Sequence, residues 1–293
     1  MVERGDMSDL DFSIVTPSFN MLSYLKSCHR SILDQQGVKL EHIVVDGGSE
    51  DGTAHWLKQQ NDVISVSESD EGMYDAINKG LRMSQGRIIA YLNCDEQYLP
   101  GTLGFVKDWF ERHPDVDVLF GDTLLIRPDG SFLSCRKGFQ PRWFYILSSY
   151  MYVISCSMFL RRRIIDNGML FDKGWRVVGD AEFVTRLLRS GYTAAHVGRY
   201  LAAFTMTGSN MNSSPKAYHE MRRLIKMAPA WVSLLRYPIY LVMFIEKVLS
   251  GAYQQKVPME YAVYISGEAK ERTKFNISKV SFRWPTVRYN AIP

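Results

Sequence analysis

Short apolar runs alternate with amphipathic, helix-like segments along the first part of the chain. The runs are short and rich in β-branched residues, which is typical of buried strands. The predicted strands are Phe12–Thr16, His42–Val45, Val63–Val66 and Arg87–Leu92, and the predicted helices are Leu22–Leu33, a segment from about Thr53, and Met73–Ser84. Strands that alternate with helices indicate βαβ crossovers, so we expect an α/β fold with a largely parallel sheet flanked by helices.

The pattern is more mixed in the second part of the chain. The predicted elements are, in order, a strand at Val116–Phe120, a tight turn at Arg127–Gly130, a buried run at Tyr152–Leu160, and a helix at Asp180–Arg189 that ends near Gly191. A polar segment, Met206–Pro215, follows and is typical of a loop. It predicts a boundary between an α/β domain, residues 1–210, and a helical C-terminal extension, residues 211–293.

Composition and charge narrow the class of protein. The chain is 293 residues long, 46% hydrophobic and 23% charged, which is typical of a folded protein with a substantial core. Its net charge of +4 is unevenly distributed, because residues 216–293 carry 13 Lys and Arg against 5 Asp and Glu, or +8. A basic end favours an anionic surface as its partner, although a solvated, charge-mixed end would look the same. We expect no nucleic-acid partner.

The cysteines and the chain start indicate the compartment. The four cysteines, Cys28, Cys94, Cys135 and Cys156, show no paired spacing, which fits a reducing environment. Residues 1–10 lack the apolar segment of a secretory signal, and no apolar run is long enough to span a bilayer. We therefore expect a cytoplasmic protein.

Polar side chains follow the first, second and fourth predicted strands. Because ligands of parallel sheets bind at the carboxyl ends of the strands, these loops predict a site. The loop from Asp46 to Thr53 is rich in glycine, which permits close approach of a ligand to the backbone, and Asp46 can accept hydrogen bonds from a base or a ribose hydroxyl. Capping of the next helix by Ser49 and Asp51 is the alternative, and both interpretations can hold together.

Two adjacent carboxylates, Asp95 and Glu96, follow the fourth predicted strand. Such a pair is electrostatically unfavourable in a buried position unless a cation neutralises it. Hard oxygen ligands are those that Mg²⁺ and Mn²⁺ prefer. The pair therefore predicts a metal site, with a solvated surface turn as the alternative.

A third acidic position, Asp180, opens the predicted helix of the second half. A carboxylate at a helix start is most often a cap, but a site also needs a general base, and Asp180 is the candidate for that role. Glu182 falls on another face of the helix, where it can pair with Arg186, four residues on.

The combination of these segments resembles a known family. Ser13–Asn20, the loop from Val45 to Thr53, the segment Asp70–Asn93 (DEGMYDAINKGLRMSQGRIIAYLN) and Asn93–Glu96 are similar to family 2 glycosyltransferases of the GT-A fold, especially to bacterial enzymes that build surface polysaccharides. The resemblance covers roughly residues 11–210. No single segment is specific, but their order and spacing together are.

The resemblance implies roles for individual residues. Pro17, Phe19 and Asp46 match positions that hold the nucleotide base and ribose, and Asp75 and Asn78 lie on a helix that faces the donor in relatives. Asp95 and Glu96 match the acidic metal motif, which usually has Asp at both positions, and Asp95 also contacts the donor. Asp180 matches the catalytic base. The implied enzyme uses Mn²⁺ or Mg²⁺ and moves one sugar, with inversion, from a nucleotide-sugar donor, UDP first among the candidates, to a glycan or glycolipid acceptor.

Competing classes of protein are disfavoured by particular residues. A dinucleotide-binding oxidoreductase would need GxGxxG after the first strand, where this chain has Pro17–Asn20. A nucleotidyltransferase would show a Gly-rich loop with Lys near the N-terminus. A non-catalytic nucleotide-sugar-binding protein is the stronger alternative, but it would be expected to lose Asp180 or the carboxylate pair, and both are present.

One apolar segment in the extension has two interpretations. Trp231–Leu249 is rich in aromatic residues and is preceded by Arg222, Arg223 and Lys226, but charges and Pro238 interrupt it. It is typical of an interfacial helix on an anionic membrane, which would place the enzyme peripherally on the cytoplasmic face. Packing on the catalytic domain, or a homo-oligomer contact, is the alternative. In both cases we expect the active site to lie entirely before Pro215.

Overall fold

The computed structural model describes residues 9–208, 210–211 and 214–284. The strands are β1 (Phe12–Ser18), β2 (Leu40–Asp46), β3 (Ile64–Ser67), β4 (Ile88–Tyr91), β5 (Glu96–Tyr98), β6 (Val118–Ile126), β7 (Phe132–Arg136), β8 (Met158–Arg161), β9 (Ala194–Thr205), β10 (Met259–Val263) and β11 (Thr273–Ile277). The helices are α1 (Leu22–Leu33), α2 (Thr53–Leu57), α3 (Met73–Met83), α4 (Thr102–Arg112), α5 (Trp143–Ser148), α6 (Arg162–Asp166), α7 (Gly179–Arg189), α8 (Pro215–Lys226), α9 (Ala230–Leu234) and α10 (Arg236–Leu249), with a 3₁₀ turn at Ser155–Ser157.

The first four strands form the parallel half of the sheet. β3, β2, β1 and β4 lie side by side in that order, and each pair of neighbours is parallel. Their helices are the βαβ crossovers that the alternating sequence pattern predicts. Because the strands are parallel, their carboxyl ends meet at one edge, which is where the polar loops lie.

The second half of the sheet is mixed. Within the described residues nine strands form one sheet, continuing from β4 through β8, β6 and β9 to β5, with β7 also paired to β6. β8 runs antiparallel to both β4 and β6, and β9 is parallel to β6. The sheet is therefore parallel only in part. The turn predicted at Arg127–Gly130 does join two strands, β6 and β7, which pair antiparallel.

Helices cover both faces of this sheet. The side chains of β1 alternate, so Phe12 and Ile14 pack with residues of α1 and α4, whereas Val15 packs on the other face with residues of α3 and α7. Gly80 allows α3 to lie directly on β1, because a Cβ there would come within 2.4 Å of Val15. The crossover helices are thereby fixed against the strands whose ends carry the site.

The C-terminal part is not only helical, contrary to the prediction. After α8, α9 and α10 the chain forms the antiparallel hairpin β10–β11. Tyr261, Val263 and Ile277 from this hairpin share a buried cluster with Leu124 and Ile126 of β6. The strands were missed because each is only five residues long and exposes part of its side chains. Residues 215–284 are thus joined to the main sheet by a common core.

Candidate active site

A large cavity opens at the carboxyl ends of the parallel strands. Its volume is about 1640 Å³, which is enough for a nucleotide-sugar together with part of a second substrate. The segments that follow β1, β2, β3 and β4 form one wall, and the start of α7 and the loop before the 3₁₀ turn form another. Of the predicted site residues, Pro17, Phe19, Asp95, Glu96 and Asp180 line it.

Phe19 presents its ring to the cavity immediately after β1. The side chain is 61% exposed, which is unusual for a phenylalanine and leaves a ring face free for stacking. Gly47, after β2, lies against it, and a Cβ at Gly47 would come within 3.4 Å of the Phe19 ring and 2.5 Å of the Asp70 carboxylate. The backbone at Gly47 therefore forms the floor of a narrow slot between an aromatic ring and an acid.

Asp46 lies beneath this slot. Its fully buried carboxylate accepts hydrogen bonds from the backbone amide of Ser49, at 3.2 Å, and from the hydroxyls of Ser49 and Ser67, the latter at 2.6 Å. It is absent from the cavity wall. Asp46 thus connects the loop after β2 to β3, and Asp70 is the carboxylate that borders the cavity at this point. Asp51, the predicted cap, accepts from the amides of Leu22 and Thr53.

The adjacent carboxylates Asp95 and Glu96 lie in the cavity wall after β4. One Glu96 oxygen, Oε2, accepts the backbone N–H of Asn93 at 2.7 Å, and Asp95 Oδ2 accepts from the Asn210 amide at 2.8 Å. The other Glu96 oxygen, Oε1, is buried and has no hydrogen-bond partner among the described residues. Burial raises the pKa of both carboxyls, and the charge of Asp95 raises that of Glu96 further.

These carboxylates fit a divalent cation bound together with a substrate. Among the described residues, no group of three His, Cys, Asp or Glu side chains is placed to hold a metal by itself. Mg²⁺ and Mn²⁺ sites in phosphate-binding enzymes use one or two carboxylates and complete their coordination with phosphate oxygens and water. Two oxygen-donor side chains, one with an unpartnered oxygen, satisfy that requirement.

Asp180 lies in the first turn of α7, facing the cavity. Its backbone N–H donates to the Tyr74 hydroxyl at 3.1 Å, and that hydroxyl donates to the Val177 carbonyl at 3.0 Å. Burial raises the pKa of Asp180 to about 6, and hydrogen bonds that stabilise the carboxylate, including those from Ser155 and Tyr74, partly oppose the shift. A carboxylate with this pKa is ionised at neutral pH and basic enough to accept a proton.

Three other predicted residues do not line the cavity. Glu182 pairs with Arg186, with oxygen–nitrogen distances of 2.8 and 3.0 Å, as predicted. Asn78 is buried, and its amide exchanges two hydrogen bonds with the backbone of Phe171. Asp75 forms ion pairs with Lys79 and Lys173, at 3.6 and 3.7 Å. The helix α3 reaches the cavity instead through Met73, Tyr74 and Ala76.

Several cavity residues were not singled out from the sequence. These are Asp70, Arg136, Ser155, Arg176, Asn210, Lys247 and Trp284. Arg176 packs on Gly72, since a Cβ at that glycine would meet the guanidinium at 2.4 Å. Asp70 follows β3 at the same sheet edge as the predicted residues, so the strand-end argument could have found it. Lys247 and Trp284 also line the cavity. Contrary to the prediction, the cavity is therefore not confined to the residues before Pro215.

The chain is similar to glycosyltransferases in sequence. The sequence model described as glycosyl transferase family 2 matches residues 13–168, more than half of the chain. A PGL/p-HBAD biosynthesis glycosyltransferase of Mycobacterium bovis is 28% identical over 202 residues, covering 65% of this chain and 73% of its own. TuaG of Bacillus subtilis, named for teichuronic acid biosynthesis, is 26% identical over 232 residues, covering 75% of this chain and 91% of its own.

Solved structures share the fold. S. aureus TarS, residues 1–349, in complex with UDP-GlcNAc superposes with a TM-score of 0.62 at 18% identity, covering 85% of this chain and 77% of that one. The mannosyltransferase PcManGT from Pyrobaculum calidifontis, in complex with GDP-Man and Mn²⁺, gives 0.53 at 16% identity, covering 86% and 78%. The fold is thus that of GT-A glycosyltransferases, and the fold class predicted from the sequence is confirmed.

The fold, the cavity and the sequence match define the class of protein. The chain belongs to glycosyl transferase family 2, and its relatives include glycosyltransferases of bacterial surface polysaccharides. The family resemblance in Ser13–Asn20, Val45–Thr53 and Asp70–Glu96 is confirmed.

Proposed function

We propose that this enzyme transfers one sugar, with inversion, from a nucleotide-sugar to an acceptor hydroxyl on a lipid-linked glycan in surface-polysaccharide synthesis. One observation carries the proposal. The carboxylate pair Asp95 and Glu96 and the basic carboxylate Asp180 line the same cavity, close enough that the charge of Asp180 contributes to the raised pKa of Glu96. Glycosyl transfer with inversion needs these two functions on opposite sides of the reacting carbon: stabilisation of a departing diphosphate, and removal of a proton from the incoming hydroxyl.

The donor side is the wall formed by β1, β2 and β3. Phe19 offers a ring face to a base, and Asp70 and the backbone of Gly47 border the same slot. Solved neighbours are complexes with UDP, UDP-GlcNAc and GDP-Man, which supports a nucleotide-sugar donor for this chain. We propose a UDP-sugar of a hexose or N-acetylhexosamine.

Asp95 and Glu96 would hold Mn²⁺ or Mg²⁺. When bound, such an ion offsets the negative charge that develops on a diphosphate leaving group. Two observations support this role. Glu96 Oε1 has no hydrogen-bond partner among the described residues, and burial raises the pKa of both carboxyls, so their negative charges are not neutralised by neighbouring groups. The complex of PcManGT with Mn²⁺ is consistent with it.

Asp180 takes the proton of the acceptor hydroxyl. Tyr74 fixes the start of α7 through the Asp180 amide, and Ser155 contacts the carboxylate. The carboxylate is therefore held in position before the acceptor arrives. A positioned base of this kind contributes roughly 10²–10⁴ in rate. In a single displacement, the acceptor oxygen attacks from the face opposite to the departing nucleotide, which inverts the anomeric configuration.

The membrane contact is proposed from the surface of α9 and α10. No helix within the described residues is long and apolar enough to cross a membrane. On α10 only Ile239 and Met243 are buried, whereas Tyr237 is 84% and Leu249 81% exposed. The remaining exposed apolar residues of this surface are Trp231, Leu234, Leu235, Tyr240, Leu241, Val242, Phe244, Ile245 and Val248. An apolar surface of this extent, on helices that follow the basic helix α8 in the chain, is typical of peripheral binding to an anionic membrane.

A screen of nucleotide-sugars tests the proposed function. In the absence of an acceptor, one nucleotide-sugar should be slowly hydrolysed with Mn²⁺ or Mg²⁺ and not with chelator. Calorimetry should show that the corresponding nucleoside diphosphate binds only with the metal. If the nucleoside diphosphate binds equally well with chelator and with metal, the metal has no part in donor binding. If no nucleotide binds at all, the proposed donor site is contradicted.

A further inference from the structure

Besides Arg176, which packs on Gly72, the cavity wall contains two cations, Arg136 and Lys247. Arg136 ends β7, in the mixed half of the sheet, and Lys247 lies in the last turn of α10. Both line the cavity. The strand order places β7 and β6 on the far side of β4 and β8 from β1, β2 and β3. Arg136 therefore belongs to the half of the sheet away from the proposed donor slot, and Lys247 joins it through the shared contacts with Tyr150 and Tyr253.

Neither cation is paired with a carboxylate among the described residues. The Arg136 guanidinium donates to the Phe282 carbonyl at 3.4 Å and lies 5.1 Å from the centre of the Trp284 ring. The Lys247 ammonium donates to the Tyr150 hydroxyl at 3.2 Å and lies 4.8 Å from the centre of the Tyr253 ring. By contrast, Arg142 and Arg186 each have a glutamate. Burial lowers the pKa of Arg136, as expected for a desolvated cation without a counter-ion.

Two tyrosines bring the cations together near the proposed base. Tyr150 and Tyr253 contact Lys247, and the same two tyrosines interact electrostatically with Arg136. Tyr150 belongs to the segment that runs through Met151 to Ser155 along the cavity wall, and Ser155 hydrogen-bonds to Asp180. The cations thus adjoin the side of the cavity where the acceptor hydroxyl must meet Asp180.

The surface next to Lys247 is apolar. Phe244 and Val248, within one helical turn of Lys247 on α10, are exposed, and they continue into the apolar surface of α9 and α10. A ligand that reaches from Asp180 past Arg136 and Lys247 to this surface would carry, in order, a hydroxyl group, a negative charge and an apolar chain.

We propose that Arg136 and Lys247 bind a phosphate or diphosphate group that joins the acceptor sugar to its apolar chain. The proposal rests on the proposed function, since it concerns the acceptor of the same site. Two cations without counter-ions match a phosphate ester, whose oxygens accept charge-assisted hydrogen bonds. A neutral glycolipid would leave both charges uncompensated when it covered them.

Calorimetry with hexyl diphosphate on the full-length protein tests the proposal, with hexanol as the uncharged comparison. The titration is done in chelator, so that no metal at Asp95 and Glu96 can hold the probe. The wild type should bind hexyl diphosphate and not hexanol. R136Q and K247Q should each weaken binding about 10-fold or more, which is the usual effect of losing one charge-assisted hydrogen bond. R136K and K247R keep the charge and should stay within a few-fold of wild type.

The control is R127Q/K137Q, which likewise removes one arginine and one lysine charge, at the positions directly after β6 and β7. Arg127 and Lys137 do not line this cavity, so the control should bind as the wild type does. Equal binding by R136Q/K247Q and wild type would overturn the proposal. So would a double variant that binds the soluble probe normally but detaches from anionic vesicles, because the cations would then serve bilayer headgroups. Intact probe binding without any nucleotide binding would contradict only the proposed function.

Discussion

At the scale of single residues, the buried carboxylates of this enzyme differ in how far neighbouring groups stabilise their charge. Asp46 is fully buried but saturated with hydrogen bonds from Ser49 and Ser67, so it organises a loop. Glu96 is equally buried but keeps one oxygen without a partner, and Asp180 retains a raised pKa at the cavity. The acids that remain undercompensated are therefore the ones available for a cation or a proton.

Asp180→Asn should separate binding from turnover. The amide keeps the size of the side chain and its bond to the Ala181 N–H while removing its basicity. Nucleotide affinity should be unchanged, and transfer should fall by about 10² or more, measured as kcat with saturating donor. Glu182→Gln is the matched control in the same helical turn, because Glu182 faces Arg186, and it should retain most of the turnover. Near-normal kcat in Asp180→Asn would place the base elsewhere.

The pH profile should carry the signature of the same residue. Because burial raises the pKa of Asp180 to about 6, the free enzyme loses its ionised base as the pH falls through that value. kcat/KM should be flat near pH 7.5 and decline below about pH 6, approaching tenfold per pH unit. The residual activity of Asp180→Asn should lack this step. A wild-type profile that stays flat down to pH 5 would contradict the assignment.

Phe19→Ala should weaken the donor complex. Stacking of a base on an aromatic ring contributes about 1–3 kcal/mol, so the dissociation constant of the nucleotide should rise about fivefold or more. Phe19→Tyr keeps the ring and serves as the control. Since Phe19 is largely exposed, the melting temperature of both variants should match the wild type. An unchanged dissociation constant in Phe19→Ala would show that the base binds elsewhere.

At the scale of elements, α8 connects the C-terminal part to the segment that carries Asp180, the proposed base. The buried Glu220 accepts hydrogen bonds from the backbone amides of Arg176, Val177 and Val178, at 2.8 to 3.1 Å. These residues lead directly into α7, which carries Asp180. The position of the base therefore depends on a helix beyond the predicted domain boundary.

Glu220→Gln should test this dependence. An amide has one acceptor oxygen and no charge, so the three backbone donors would lose charge-assisted hydrogen bonds. We expect the free energy of unfolding to fall by about 1.5–3 kcal/mol, measured by urea titration, together with a lower kcat. His219→Gln alters the exposed neighbour and should change neither. A stable, fully active Glu220→Gln would show that α7 holds its position without α8.

At the scale of the whole molecule, the parallel half of the sheet was predictable, whereas in the second half only single features, such as the turn between β6 and β7 and helix α7, were. β1, β2 and β4 are short apolar runs followed by polar loops, and their helices show clear periodicity. β6 was predicted only to Phe120, because all nine of its residues are buried and no alternation marks its continuation. Arg136 and Lys247 reach the cavity through long-range packing, so no local pattern could place them beside Asp180.

The apolar surface of α9 and α10 makes a prediction about the whole molecule. Leu241→Glu/Phe244→Glu introduces two charges on exposed positions, so it should abolish sedimentation with anionic vesicles while the melting temperature stays near that of the wild type. Ile64→Glu, at an exposed position on β3, is the control and should bind vesicles normally. High salt should weaken wild-type binding by screening. The membrane contact would be contradicted if the wild type does not sediment with anionic vesicles, or if the double variant still does.

The distribution of the cavity wall along the chain has a consequence for how such enzymes diversify. The stretch that matches the family ends at residue 168, yet Asp180, Lys247 and Trp284 reach the cavity from beyond it. Substitutions in the later segments can therefore reshape part of the cavity without disturbing β1 to β4. Sequence identity measured over residues 13–168 then reports the similarity of the proposed donor side more directly than that of the later segments which complete the cavity.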